Sequence, residues 1–114
     1  MKTLQETFDT VSAHLLSQNE RCQNEEEVCA YRGDNGLMCA VGVLIKDDAF
    51  DEKCNLDLLG LSGVNLMLEN SGINTGTKSM SLLHALQTVH DQTQPSKWKQ
   101  SLKDVAMKHG LKHD

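Results

Sequence analysis

Apolar residues return at helical spacing at both ends of this 114-residue chain, and that period limits the fold more than any motif does. Leu4, Phe8, Val11 and Leu15 fall on one face of a 3.6-residue turn. Thr3 followed by Glu6 has the spacing of a capping box, so a first helix is predicted from Thr3 to Gln18. Val64, Met67 and Leu68 repeat the spacing after the breakers Gly60 and Gly63. Leu82, Leu83, Leu86 and Val89 predict another helix from about Ser79 to His90. Pro95, the only proline, precedes Ser96 and a last amphipathic helix carrying Trp98, Leu102, Val105 and Ala106, with Gly110 as its stop. Aromatic residues are confined to Phe8, Tyr31, Phe50 and Trp98, so Leu, Val, Ile, Met and Ala must build the core, which suits helices better than a β-sandwich. The length is that of one domain. The expectation is a mainly α, single-domain bundle of four to five helices over residues 1–114. An irregular Gly-rich loop region sits near its middle, with room for one short β-hairpin.

That middle is the stretch CAYRGDNGLMCAVGVLIKDDAF, from Cys29 to Phe50. Before it, residues 19–27 are polar and acidic and read as a loop or a short helical turn. Val28 to Tyr31 reads as extended. RGDNG has the Asp, Asn and Gly residues of a chain reversal, and its RGD tripeptide is read as turn chemistry rather than a cell-adhesion signal. LMCAVGVLI suits either a buried strand or a short buried helix. The helix is preferred, because Leu37, Ala40, Val41 and Leu44 would share a face and Gly42 would permit close packing. Cys39, Val41 and Leu44 are expected to be buried, and Arg32 to be held by a fixed acceptor such as Asp91 or a helix C-terminus. Residues 46–55 read as a polar connection anchored by Phe50.

The net charge is −5. Residues 1–57 hold twelve acidic and five basic side chains, whereas residues 97–114 hold five lysines and two aspartates. An acidic body with a basic last helix lacks the strong basic face of a nucleic-acid binder. The first eighteen residues contain no apolar signal core, and no run is long enough to span a bilayer. A cytoplasmic protein with reduced cysteines and no membrane association is therefore expected.

Four cysteines and five histidines raise the question of zinc, but they form no CxxC pair and the cysteine gaps are long and irregular, and no metal or other cofactor is expected. Cys39, His90 and Asp91 have the composition of a thiol-dependent catalytic site. Cys39 nevertheless lies inside an apolar run, which points to an inert core thiol, and Asp91 reads as a helix-end residue bonding backbone N–H groups. Glu25–Glu27 and Asp47–Asp48 are adjacent acids that read as solvated surface. Tyr31 and Arg32, a ring and a planar cation beside a glycine turn, suit the clamping of an anion, a nucleotide or an acidic peptide. The candidate ligand- or partner-binding residues are Tyr31, Arg32, Asp34, Asn35, His90 and Asp91. No catalytic residue is assigned.

The Cys29–Phe50 stretch resembles small phage and prophage proteins that carry CxYRGxxGxxCAVGxLI, an acidic pair and then an aromatic residue. The same proteins carry a late LQxxHD followed by a Trp-containing helix, matched here by Leu86-Gln87, His90-Asp91 and Trp98. The resemblance covers about Cys29 to Phe50 and Leu86 to Leu111, and does not extend to 51–81. It implies a small helical protein made inside a bacterial host cell and acting by binding, with no catalytic residue to carry over. The leading expectation is a non-enzymatic accessory protein that inhibits a host or defence protein, with a homodimer compatible with so small a core. Two alternatives are sequestration of a small signalling nucleotide and a thiol-dependent enzyme using Cys39.

Overall fold

A computed structural model describes residues 2–22, 30–33 and 36–113. Helix α1 spans Leu4–Gln18, α2 Ser62–Asn70, α3 Thr77–Gln92 and α4 Trp98–Lys108. Short 3-10 turns cover Gly42–Leu44, Asp47–Ala49, Glu52–Cys54 and Pro95–Lys97. The mainly helical expectation holds. The fold's only β pairing among the described residues is one antiparallel bridge between Arg32 and Met38.

Local chemistry sets the helix ends. Thr3 and Glu6 form the predicted reciprocal capping box: Glu6 N–H donates to Thr3 Oγ1 at 3.1 Å and Thr3 N–H to Glu6 Oε1 at 2.9 Å. These bonds to Thr3, backbone first, hold the Glu6 carboxyl below its ordinary range. At the end of α4, Leu111 N–H reaches Ala106 O at 2.8 Å and Gly110 N–H reaches Met107 O at 3.3 Å. Gly110 has φ +67°, so the pair is a Schellman stop at the predicted glycine. Gly72 closes α2 in the same way, with Ile73 N–H on Leu68 O.

Helices α1, α3 and α4 pack on one another, and α2 packs beside the Asp47–Ala49 turn. The core joins Phe8, Val11 and Leu15 to Leu82, Leu83, Leu86, Leu102 and Ala106. Trp98 is fully buried; its indole N–H donates to Thr93 O at 2.8 Å, so its polar edge is satisfied.

The segment preferred as a helix from Leu37 to Leu44 is instead extended to Cys39 and then forms the Gly42–Leu44 turn. Distant side chains take its backbone groups. Met38 N–H donates to Gln18 Oε1 at 2.9 Å, while His14 Nε2 and Gln18 Nε2 both reach Met38 O at 2.9 Å. Cys39 N–H donates to Tyr31 O, and Val41 N–H to Gln87 Oε1 at 3.1 Å. Gly42 lies so close to residue 31 that an added Cβ would overlap the Tyr31 carbonyl. The glycine serves the expected close approach, but toward a loop strand rather than a helix.

Candidate functional site

The six sequence candidates do not form one open site. Asp34 and Asn35 lie outside the described residues, although Gly36 beside them has φ +76° and Gly33 N–H reaches Leu37 O at 2.9 Å, as a reversal requires. Tyr31 is buried, and its hydroxyl donates to Asp57 O at 2.7 Å. Burial, with Cys39 and Asp57 nearby, pushes the phenol above its ordinary range.

Arg32 is a brace. Its Nη2 donates to Ile45 O at 2.6 Å, its Nη1 pairs with Asp47 Oδ1 at 2.7 Å, and its guanidinium lies 4.6 Å from the Phe50 ring centre. The fixed acceptor is thus the carbonyl ending the Gly42–Leu44 turn together with Asp47, in place of Asp91. The Arg32 backbone is clasped too: Asn55 Oδ1 accepts from its N–H at 2.9 Å and Asn55 Nδ2 donates to its carbonyl at 2.8 Å. These contacts explain why Tyr-Arg, a glycine turn, an acidic pair and an aromatic residue occur in one stretch. They tie the stretch to itself.

His90 is fully buried and stacked on Trp98, with ring centres 5.7 Å apart. Cys22 N–H donates to His90 Nε2 at 2.8 Å, which places the imidazole proton on Nδ1, where it meets Asp91 Oδ1 at 2.7 Å. Gln87 Nε2 donates to the same Asp91 oxygen at 2.9 Å while Gln87 Oε1 holds Val41. Gln87, His90 and Asp91 therefore sit on one face of α3; Gln87 and His90 fasten two loop strands to it, and Asp91 holds those two side chains in place.

The Cys39-His90-Asp91 composition is not an assembled catalytic site. His90 Nε2, the nitrogen a general base would use, is occupied by a backbone N–H. Cys39 has no solvent-exposed surface, accepts from Gly42 N–H at 3.2 Å, and burial pushes its thiol up to about 12. A reactive thiolate needs access and a lowered pKa. Among the described residues no three His, Cys, Asp or Glu side chains gather to hold a metal ion. No helix among them is long and apolar enough to cross a membrane.

The exposed chemistry lies next door, in the stretch that motif reading passed over. Tyr31, Asp57, Leu58, Gln87 and Asp91 line a small cleft of about 110 Å³. At its rim the chain turns at Leu58–Leu61, closed by Leu61 N–H on Leu58 O at 3.2 Å, with Gly60 at φ +102°. The turn and its approach leave Leu56 55%, Leu58 75% and Leu61 50% exposed. Three leucines in water within six residues are a patch rather than scattered exposure. Their sequence signal was a leucine-rich run with neither the helical nor the strand period. Acidic groups flank it: residues 46–70 hold six acids and two lysines, and the Asp47 side chain is almost wholly exposed. Protein-family models, curated proteins and solved structures give no match to this chain.

Proposed function

We propose that this chain is a non-enzymatic binding protein whose leucine turn, Leu56 to Leu61, docks a second protein. The observation that carries the reading is the exposure of those three leucines beside a fold whose described candidate residues, Tyr31, Arg32, His90 and Asp91, are engaged internally. Covering a leucine side chain contributes about 1.5–3 kcal/mol when it goes from exposed to buried, so three partly exposed leucines can anchor a modest interface. The acidic flank selects the occupant: a partner surface with an apolar pocket and a basic rim. Resemblance to small phage proteins makes that partner a host or defence protein met in the cytoplasm of a bacterial cell, with inhibition as the outcome. The nucleotide reading placed at Tyr31 and Arg32 has less support, because both side chains already have partners.

The test compares the full chain with Leu58→Asp, purified from the cells in which it acts. A stoichiometric protein retained by the parent and lost from the variant, at equal melting temperature, supports the reading. Equal retention by both, or a parent that sediments as a concentration-dependent homodimer broken by the variant with no other protein bound, overturns it.

A further inference from the structure

His90 is fully buried, and both of its ring nitrogens are engaged. Nε2 accepts from Cys22 N–H at 2.8 Å, and Nδ1 meets Asp91 Oδ1 at 2.7 Å. Only the neutral ring can make both bonds. A charged imidazole carries a hydrogen on each nitrogen, so its Nε2–H would point at Cys22 N–H with no acceptor between them. Taking up a proton therefore costs the Cys22 bond and leaves a cation in a dry site.

Other groups around the ring favour the cation. Asp91 places a carboxylate at Nδ1, and His90 stands in the last turn of α3, where the helix dipole attracts positive charge. On the loop segments the titratable groups nearby are the Cys22 and Cys39 thiols and the Tyr31 phenol, with Arg21 next to Cys22 in the chain. Helix α1 brings His14, whose Nε2 is bonded to Met38 O. Helix α4 brings the uncharged Trp98 ring, while Lys97 and Lys99 on either side of it are exposed to solvent.

We propose that His90 is an acid-released latch: the neutral ring holds the Cys22 segment on α3, and protonation lets that segment go. The direction follows from the two states. The latched state has no place for a proton on Nε2. The released state gives Nε2 water and keeps Asp91 at Nδ1. Protons therefore bind the released state better, and lowering the pH shifts the population toward it. The release has a path outward. Cys22 O accepts from Ala30 N–H at 3.1 Å, Tyr31 N–H donates to Asn55 O at 3.2 Å, and the Tyr31 hydroxyl donates to Asp57 O at 2.7 Å. Freeing Cys22 thus reaches the approach to the leucine turn, whereas the packing of α1 on α4 does not pass through it. The latch needs no partner, so it stands independently of the docking reading.

The experiment is an NMR titration of the full chain from about pH 8 to about pH 5, the window in which imidazole ordinarily takes up its charge. Long-range proton–nitrogen spectra read the His90 ring, and amide spectra read the backbone. At the upper end the ring proton should be on Nδ1. On acidification the Cys22 and Ala30 amides should move with the His90 ring at one midpoint, with Tyr31, Asn55 and Asp57 following. The Cys22 protection factor should fall about tenfold, the worth of one hydrogen bond, while Leu102 and Ala106 keep theirs. His14→Gln should leave the step in place, because His14 donates to a carbonyl and its charged ring can do the same. His90→Gln keeps an acceptor near the Nε2 position but takes no proton, and should abolish the step. Asp91→Asn keeps an oxygen for Nδ1 but removes the counter-ion, and should move the step about one unit or more to lower pH. It decides the matter if His90→Gln does not fold. A Cys22 amide that does not move over this range, a step that survives His90→Gln or keeps its midpoint in Asp91→Asn, or loss of the Leu102 and Ala106 signals at the same midpoint overturns the proposal.

Discussion

At the scale of single residues, the glycine and arginine of the central stretch bear on stability. Gly42→Ala drives a methyl group into the Tyr31 carbonyl, and neither backbone can give way without losing the Cys39–Tyr31 bond. A loss of about 3 kcal/mol is expected by denaturant unfolding, at the upper end of overpacking. Cys39 and Tyr31 set the alkaline limit. Both ionise more readily in the unfolded chain than in the fold, where burial raises them, Cys39 to about 12. From the ordinary thiol range up to that value the unfolded state has released a proton that the fold still holds. Stability therefore falls as pH rises, by up to about 1.4 kcal/mol per pH unit for each such group. Cys39→Ala should flatten the slope in denaturant curves taken at increasing pH; an unchanged slope would contradict the burial argument. The burial of Cys39 was legible from its place in an apolar run. Arg32's acceptors were legible in part: a helix C-terminus was expected and the carbonyl capping the Gly42–Leu44 turn is one, but Asp47 was not foreseen.

At the scale of elements, the helices were readable where period and caps agree. Thr3, Glu6 and Gly110 stand at their predicted posts, and the last two helices begin and end within a few residues of expectation. Residues 37–45 were not readable, because Gln18, His14 and Gln87 satisfy a backbone that period alone left open between a strand and a helix. Gln87 is the test of that explanation. Gln87→Met keeps the volume but leaves Val41 N–H without its acceptor, and should cost about 1–3 kcal/mol. Native-state hydrogen exchange should speed up at Val41 and Cys22 before it does in α1. The first turn of α1 carries a pH dependence of opposite sign to that of Cys39. The lowered Glu6 pKa means that the capping box contributes fully above the ordinary glutamate range and is lost as pH falls through the lowered value. Fraying at Thr3 to Thr7 on acidification, absent in Glu6→Gln, is the expected NMR result.

At the scale of the whole molecule, the radius of gyration is 12.9 Å, close to the ~13 Å of a compact chain this long. The resemblance drew attention to Cys29–Phe50 and to LQxxHD, and described residues of those stretches hold one another: Arg32 with Ile45 and Asp47, and Val41 with Gln87, which with His90 bonds Asp91. The exposed leucines fall in 51–81, the part that the resemblance does not cover. A motif rich in Tyr, Arg, His and Asp looks like a site because the same polar groups that grip a ligand also satisfy a buried backbone. Solvent exposure separates the two roles, and exposure is a property of the packed molecule.

The most direct measurement pairs melting temperature with partner retention for Arg32→Ala and Leu58→Asp. Losing the Ile45 and Asp47 bonds should cost Arg32→Ala about 2 kcal/mol, a drop of roughly 8 °C, while retention per folded molecule stays at the parent level. Leu58→Asp should melt within about 2 °C of the parent, as exposed substitutions do, and lose its partner. The crossed result, with Arg32→Ala stable but unable to bind and Leu58→Asp binding normally, would place the working surface back on the Tyr31–Arg32 turn and contradict the account.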